Sequence, residues 1–272
     1  MTRVANVSNS DYVASQYRTP DNLDIRIRMH RIYSTNAYGW YRWLFDQISE
    51  RVSGRVLELG CGTAAFWKEN REHGLTGAAV HLTDLSAGMA RQALESLGGV
   101  APFIGHVADA QAIPYRSGSF DAVLANHMLY HVPDKQRALA EIRRVLEPDG
   151  LICAATIGEA HLREIADLVR RFDPNLVWWG AQMSDTFTLE NGAEILGPWF
   201  GDIEVRRYED AFRVTDADDL IAYILSGRLE LDADGTTEFR RFVRREFEQA
   251  AGVFHITKSS GAFLARPGHR GG

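Results

Sequence analysis

The chain has 272 residues, enough for one large domain or two small ones and for a core that needs no disulfide or metal staple. A hydrophobic share of 45% and a charged share of 24% are ordinary for a water-soluble globular protein, and a net charge of -6 argues against a general nucleic-acid binder. Two cysteines, Cys61 and Cys153, are too few for a disulfide framework, the start carries no apolar leader, and no run approaches about 18 uncharged apolar residues. These features predict a cytoplasmic enzyme with no membrane partner.

Residues 1–52 are aromatic and basic. Thr19-Pro20-Asp21 reads as a helix start, with a hydroxyl cap, proline at the first position and an acid at the positive dipole end. Leu23, Ile27 and Met29 are expected on one helical face, although Ile25 to Met29 also alternates like a strand. A second helix is predicted from Trp40, Trp43, Leu44, Gln47 and Ile48. From Gly54, apolar runs at 56–59, 79–82, 103–107, 122–124 and 151–155 alternate with helical patterns at 64–73, 86–97 and 134–146. Asp149-Gly150 reads as a turn before the fifth run. This alternation predicts a Rossmann-like, doubly wound α/β fold whose strands are buried on both faces. Beyond it lie a helix at 161–172, an aromatic insertion at 174–188, strands at 203–207 and 261–265, and helices near 216–226 and 235–250. The predicted organisation is therefore an N-terminal helical lid (1–52), a cofactor-binding core (53–160), and a cap with the closing strands (161–272).

Val56-Leu-Glu-Leu-Gly-Cys-Gly-Thr63 places a glycine-rich turn after the first strand and before a helix. Glycines there let the backbone turn sharply and approach a ligand. Gly60 to Ala65 also satisfies the G-x-G-x-x-A form of a dinucleotide fingerprint, so the surroundings must choose the cofactor. Glu58 opposes a pyrophosphate and suits a cation, Asp84 is placed for two ribose hydroxyls, and Asp109 suits an exocyclic amine. Three acids at successive strand ends describe a site for adenosine plus positive charge without phosphate. S-adenosylmethionine has that character.

Five pieces also resemble, in order and spacing, the class I S-adenosylmethionine-dependent methyltransferases. They are Glu58 to Thr63, Thr83 to Met89, Ala108 to Pro114, Ser119 to Val123 and Arg144 to Gly150. The resemblance implies a mostly parallel seven-stranded sheet, with Gly60 and Gly62 lining the cofactor, Asp84 on the ribose and Asp109 at the adenine edge. Cys61, Leu85 and Ala110 complete the candidate cofactor contacts, and Ala64 stands where the family often has a third glycine. Tyr17 to Leu23, Arg26, His30, Tyr33 to Asn36 and Gly39-Trp40 are similar to a narrower group, actinobacterial natural-product methyltransferases of the lincosamide N-methyl and teleocidin C-methyl type.

Methyl transfer is an in-line displacement, so positioning and exclusion of water dominate; an oxygen or carbon acceptor also gains from a base. Asn126 is expected on the cofactor. His127 and His131 are candidates to face the acceptor, with His131 read equally as a cap or packing residue of the next helix. Arg26 and His30, at i and i+4, would meet the cofactor's carboxylate or sit on a solvated face. Tyr12 and Tyr17 are candidates to close the pocket, Tyr17 also to act in catalysis, and Trp178, Trp179 and Met183 to wall the acceptor or merely pack the insertion. No metal-ligand spacing occurs among the nine histidines. The leading expectation is N-, C- or O-methylation of a small molecule by a possible homo-oligomer, with S-adenosylhomocysteine as the cofactor product. The alternatives are a non-methylating cyclase that retains the cofactor and, further off, a NAD-dependent oxidoreductase.

Overall fold

The computed structural model describes residues 20–49, 54–73, 77, 79–98, 103–178, 186–227, 229 and 231–268, the first five without their side chains. The chain divides into two compact units. One holds the described residues within 38–157, 187–208 and 261–268; the other holds those within 20–37, 158–186 and 209–260. Both units are discontinuous in sequence and cut across the three consecutive segments read from it.

The first unit is built on the parallel strands β1 (Arg55–Leu59), β2 (Ala79–Asp84), β3 (Phe103–Val107), β4 (Phe120–Asn126) and β5 (Leu146–Ile157). With β6 (Phe200–Val214) and β7 (Phe254–Pro267), each spanning both units, they form one seven-stranded sheet in the order β3-β2-β1-β4-β5-β7-β6. The strand order reverses between β1 and β4, which is where open α/β sheets bind ligands. Side chains alternate across the sheet. Leu57, Leu59, Val123 and Ile152 enter one core with Leu139 and Ile142 of a helix at Lys135–Val145, while Val56, Leu82, Leu124 and Cys153 enter the other with Leu44 and Ile48 of a helix at Trp40–Ile48. Two expectations need correction. β3 is an edge strand with Ile104 and Val107 exposed, so it is not buried on both faces. Asp149-Gly150 does not precede the fifth strand but lies inside it as an irregularity. The register steps from Phe120↔Leu146 to Ala122↔Leu151, five residues along β5 against two along β4.

The second unit packs helices at Pro20–Tyr33, Arg163–Phe172, Ala217–Ser226 and Ala233–Gln249 around Phe212, Val214 and Ile256. The helix at 20–33 buries Met29 and Tyr33, four residues apart, with Ile25 half-buried beside them, and leaves Ile27 54% exposed. The expected grouping of Ile27 with Met29 fails because residues two apart point about 200° away from each other on a helix. Phe239, Val243 and Phe247 bury one face of the last helix, Arg240 and Phe242 are half-buried, and Arg241, Arg244 and Arg245 are exposed.

Asp210 organises the turn after the first helix. Its carboxylate accepts the Ser34 hydroxyl (2.6 Å), the Thr35 N–H (3.0 Å) and hydroxyl (3.2 Å), and the Asn36 (3.0 Å) and Ala211 (2.8 Å) N–H groups. Lys258 pairs with it, both side chains are buried, and the ammonium lies 4.8 Å from the Phe212 ring centre. Removing one partner of such a pair strands the other charge. Asp210→Ala is expected to cost about 3–5 kcal/mol in denaturant unfolding, and the double variant Asp210→Ala, Lys258→Met less than that. Equal losses would show that the charge of Lys258 needs no partner.

Candidate active site

The site is assembled at the carboxyl edge of the first unit. Gly60, Gly62 and Ala64 have φ of 64°, 53° and 57°, a left-handed run that turns β1 into the helix Ala65–Glu69. A side chain at Gly60 would collide with Met128 Cβ at 2.8 Å, whereas nothing lies within 4 Å of the corresponding position at Gly62. One glycine is thus required by the packing of the chain on itself and the other opens onto free space. Ala64, in place of a third glycine, adopts the same left-handed conformation as a fully buried residue.

Hydrogen bonds fix this turn to the end of β2. The Cys61 N–H donates to the Thr83 carbonyl at 2.9 Å, and the Thr83 hydroxyl to the Glu58 carbonyl at 2.9 Å. Asp84 accepts the Gly62 N–H on one carboxylate oxygen (3.0 Å) and the Ser86 N–H on the other (2.8 Å). A carboxylate oxygen takes two bonds, so each retains capacity for a ligand hydroxyl. Leu85, 62% exposed, and Val107, 54% exposed, present apolar surface beside it, and Asp84 pairs with Val107 in the sheet register. Asp109 is held by Gln111, whose N–H reaches it at 2.8 Å and whose side-chain amide donates to both its oxygens; Ala110 is buried behind. Gln111 is in turn tied to the next helix by the Asp134 N–H and Arg137.

Glu58 is 2% exposed and accepts the Trp67 indole N–H at 2.6 Å. Burial pushes its carboxyl up to about 8, against the Trp67 bond, with the charge of Asp84 adding to the rise. Burial likewise raises the Cys61 thiol, with Glu58 and Asp84 adding to it, in keeping with a passive side chain in the turn.

The register Leu59↔Ala125 sets Gly60 beside Asn126, where β4 ends. The Asn126 side-chain oxygen is buried with no hydrogen-bond partner among the described residues. His127 follows with φ 53°, its N–H held by the Ala155 carbonyl at 3.1 Å and its ring 5.1 Å from that of Trp40. Non-glycine residues held left-handed are a recurrent mark of functional sites. Trp40 also stacks on Trp43 at 5.2 Å and meets Tyr208 edge-on at 5.5 Å. His131 lies one short turn on, its ring edge-on to Tyr130 at 4.5 Å.

Glu58, Gly60, Cys61, Gly62, Asp84, Leu85, Asp109, Ala110, Asn126 and His127 thus all fall in the glycine turn and at the ends of β1, β2, β3 and β4. Arg26 and His30 belong to the other unit, where Arg26 donates to the Ser226 carbonyl at 2.9 Å and His30 meets Phe212 edge-on at 4.9 Å. Trp178 is buried in that unit's core, 6.4 Å from the ring of Tyr223. Tyr12, Tyr17, Trp179 and Met183 lie outside the described residues. Sequence reasoning did not single out Trp67, Gln111 or Tyr208; only the aromatic spacing of Trp40 and Trp43 carried a signal. Among the described residues no cluster of three or more His, Cys, Asp or Glu could hold a metal ion.

The residues fit an adenosyl group bearing positive charge. Asp84 and Asp109 keep acceptor capacity beside exposed apolar surface, the Asn126 oxygen lacks a donor, and no arginine, lysine or histidine forms an ion pair with buried Glu58 among the described residues. A carboxyl raised by burial stabilises the fold while protonated, and that stability is lost as pH rises from about 4.5 through about 8. Glu58→Gln is therefore expected to raise the thermal midpoint of the ligand-free protein at pH 9, by about 2–4 °C for each kcal/mol recovered, and to change it little at pH 4, below the ordinary carboxyl value. A gain that is the same at both pH values would contradict this account of Glu58.

Comparison with known proteins agrees with this geometry. Residues 57–154 match the family model described as "Methyltransferase domain". The chain is 38% identical over 155 residues to the malonyl-[acyl-carrier protein] O-methyltransferase of Geobacter sulfurreducens, covering 53% of this chain and 57% of that protein. It is 32% identical over 178 residues to the ubiquinone/menaquinone biosynthesis C-methyltransferase UbiE of Haemophilus ducreyi, covering 64% of each. The chain thus spans about three fifths of the length of these relatives. Among solved structures the [4+2]-cyclase SpnF superposes with a TM-score of 0.58 at 18% identity over 97% of both chains, a likeness of fold. The order of glycine turn, acids and strands agrees with these matches, in which residues 57–154 are similar to a methyltransferase domain and the longer alignments run to an O-methyltransferase and a C-methyltransferase.

Proposed function

We propose that this chain transfers a methyl group from S-adenosylmethionine to a small-molecule acceptor, leaving S-adenosylhomocysteine. The observation that carries the reading is the set of acids around the glycine turn: Asp84 fastened by the Gly62 and Ser86 N–H groups, Asp109 fastened by Gln111, and Glu58 buried with no cation paired to it among the described residues. Asp84 would hold the ribose hydroxyls, Leu85 and Val107 would flank the adenine, Asp109 would accept from its amine, and Asn126 would accept from the ammonium. When bound, S-adenosylmethionine supplies an electrophilic methyl group on a sulfonium. A dinucleotide would instead bring a pyrophosphate against Glu58, at a turn whose residues Glu58 to Ala64 include no cation.

His127 is the side chain proposed to act on the acceptor, orienting it or taking its proton. Its strained backbone and its contact with the Trp40 ring fix the imidazole at the end of β4, and Trp40, Trp43 and Tyr208 supply an aromatic surround for a bulky, partly apolar acceptor. Natural-product biosynthesis remains the favoured setting, on the resemblance of the segment from Tyr17 to Trp40. Among the described residues no helix is long and apolar enough to cross a membrane.

The test is transfer of an isotope-labelled methyl group from S-adenosylmethionine into the small-molecule fraction of a bacterial extract. Label entering that fraction, with S-adenosylhomocysteine formed in equal amount, is expected. His127→Asn, which keeps a residue tolerant of left-handed backbone, should lower kcat about 100-fold if His127 is a base. Loss of less than tenfold would confine His127 to packing. Cofactor bound without any methyl release across such extracts would favour the cyclase-type reading.

A further inference from the structure

We propose that Glu58 is protonated in the ligand-free protein and gives up that proton when the cationic cofactor seats on the Gly60–Gly62 turn, so that this side chain favours the charged donor over its neutral product. The inference rests on the cofactor assignment above. Its ground is an unbalanced buried charge. Glu58 is 2% exposed, and among the described residues its carboxyl accepts one hydrogen bond, from the indole N–H of Trp67. Among the described residues the titratable groups facing it are Asp84 at the end of β2, Cys61 in the turn and Cys153 on β5, none of them able to carry positive charge. A carboxylate in such surroundings must hold a proton or meet a cation. The contrast with Asp210 is instructive, since that buried carboxylate has Lys258 beside it and its carboxyl is held below the usual range in spite of burial.

The cofactor can supply the missing charge. S-adenosylmethionine carries a sulfonium, an ammonium and a carboxylate, one net positive charge, whereas S-adenosylhomocysteine has lost the sulfonium and is neutral overall. Binding of the donor lowers the free energy of the Glu58 carboxylate relative to the acid. The O–H bond of the carboxyl breaks, the electron pair stays on the carboxylate, and the proton passes to buffer. After methyl transfer the compensating charge is smaller, the proton returns, and the product is held less tightly.

The experiment is calorimetric titration of wild type and Glu58→Gln with S-adenosylmethionine and with S-adenosylhomocysteine, at pH 6 to 8.5, in pairs of buffers that differ in ionisation enthalpy. The apparent heat then reports protons released per ligand bound. The variant retains the titration of the ligand's own amine, so the difference between the two proteins isolates Glu58. Wild type should release close to one proton more per donor than the variant near pH 7. Its preference for donor over product should rise toward tenfold per pH unit below about pH 8 and level off above, while the variant's preference stays flat. Equal proton release by the two proteins would overturn the proposal while leaving the cofactor assignment standing. Failure of both ligands to bind wild type would overturn the assignment, and the proposal with it. Trp67→Phe gives an independent reading, because loss of the indole N–H destabilises the carboxylate. The pH at which donor affinity rises should then move upward, and an unchanged onset would contradict the role given to Glu58.

Discussion

Three positions after β1 hold positive φ, and the hydrogen bond from the Gly62 N–H to Asp84 locks the resulting turn onto the end of the neighbouring strand. That single contact couples the two features a ligand would meet, an open backbone at Gly62 and a carboxylate at Asp84, so neither can shift without the other. The rest of the edge is built outward from it. Thr83 ties the turn to the Glu58 carbonyl, Ser86 caps the following helix while its N–H fills the second oxygen of Asp84, and Met128 packs on the face of Gly60. The parallel register then carries Asn126 and His127 to the same edge from the other side of the switch point.

Electrostatics separates Glu58 and Asp210, each with a buried side chain, by the partners that surround them. Asp210 is saturated, with five donor groups from residues 34–36 and 211 and a buried lysine, which is how a charge is kept inside a protein for structure. Glu58 has one indole donor and acidic or thiol neighbours, an arrangement that disfavours the ion until a cation arrives. The same physics makes Asp210 an anchor for the turn that follows the helix at 20–33 and leaves Glu58 as the carboxyl proposed to answer the ligand.

Much of this was legible in the amino-acid order because the signals are local. Apolar runs flanked by Gly60, Asp84, Asp109 and Asn126 mark strand ends directly, and the helical patterns read from 86 and 134 begin at the residues, Ser86 and Asp134, that cap those helices in the structure. What escaped depends on contacts remote in sequence. Nothing near Trp67 says that its indole will meet Glu58, and nothing in β6 says that Tyr208 will face Trp40. The exposure of Ile27 was hidden by an ambiguous run that alternates like a strand while forming a helix. Division of the chain into two discontinuous units was equally hidden, since β6 and β7 each pass from one unit to the other within an unbroken strand pattern.

The account stands or falls on which adenosine cofactor the turn accepts. Titration of the purified protein with S-adenosylmethionine and with NADH, in wild type and Asp84→Ala, tests this most directly. The geometry calls for binding of S-adenosylmethionine and not of NADH, weakened about 10- to 100-fold when the carboxylate that holds the Gly62 N–H, and is proposed to hold the ribose, is removed. Binding of NADH in its place, or affinity for S-adenosylmethionine indifferent to loss of Asp84, would contradict it.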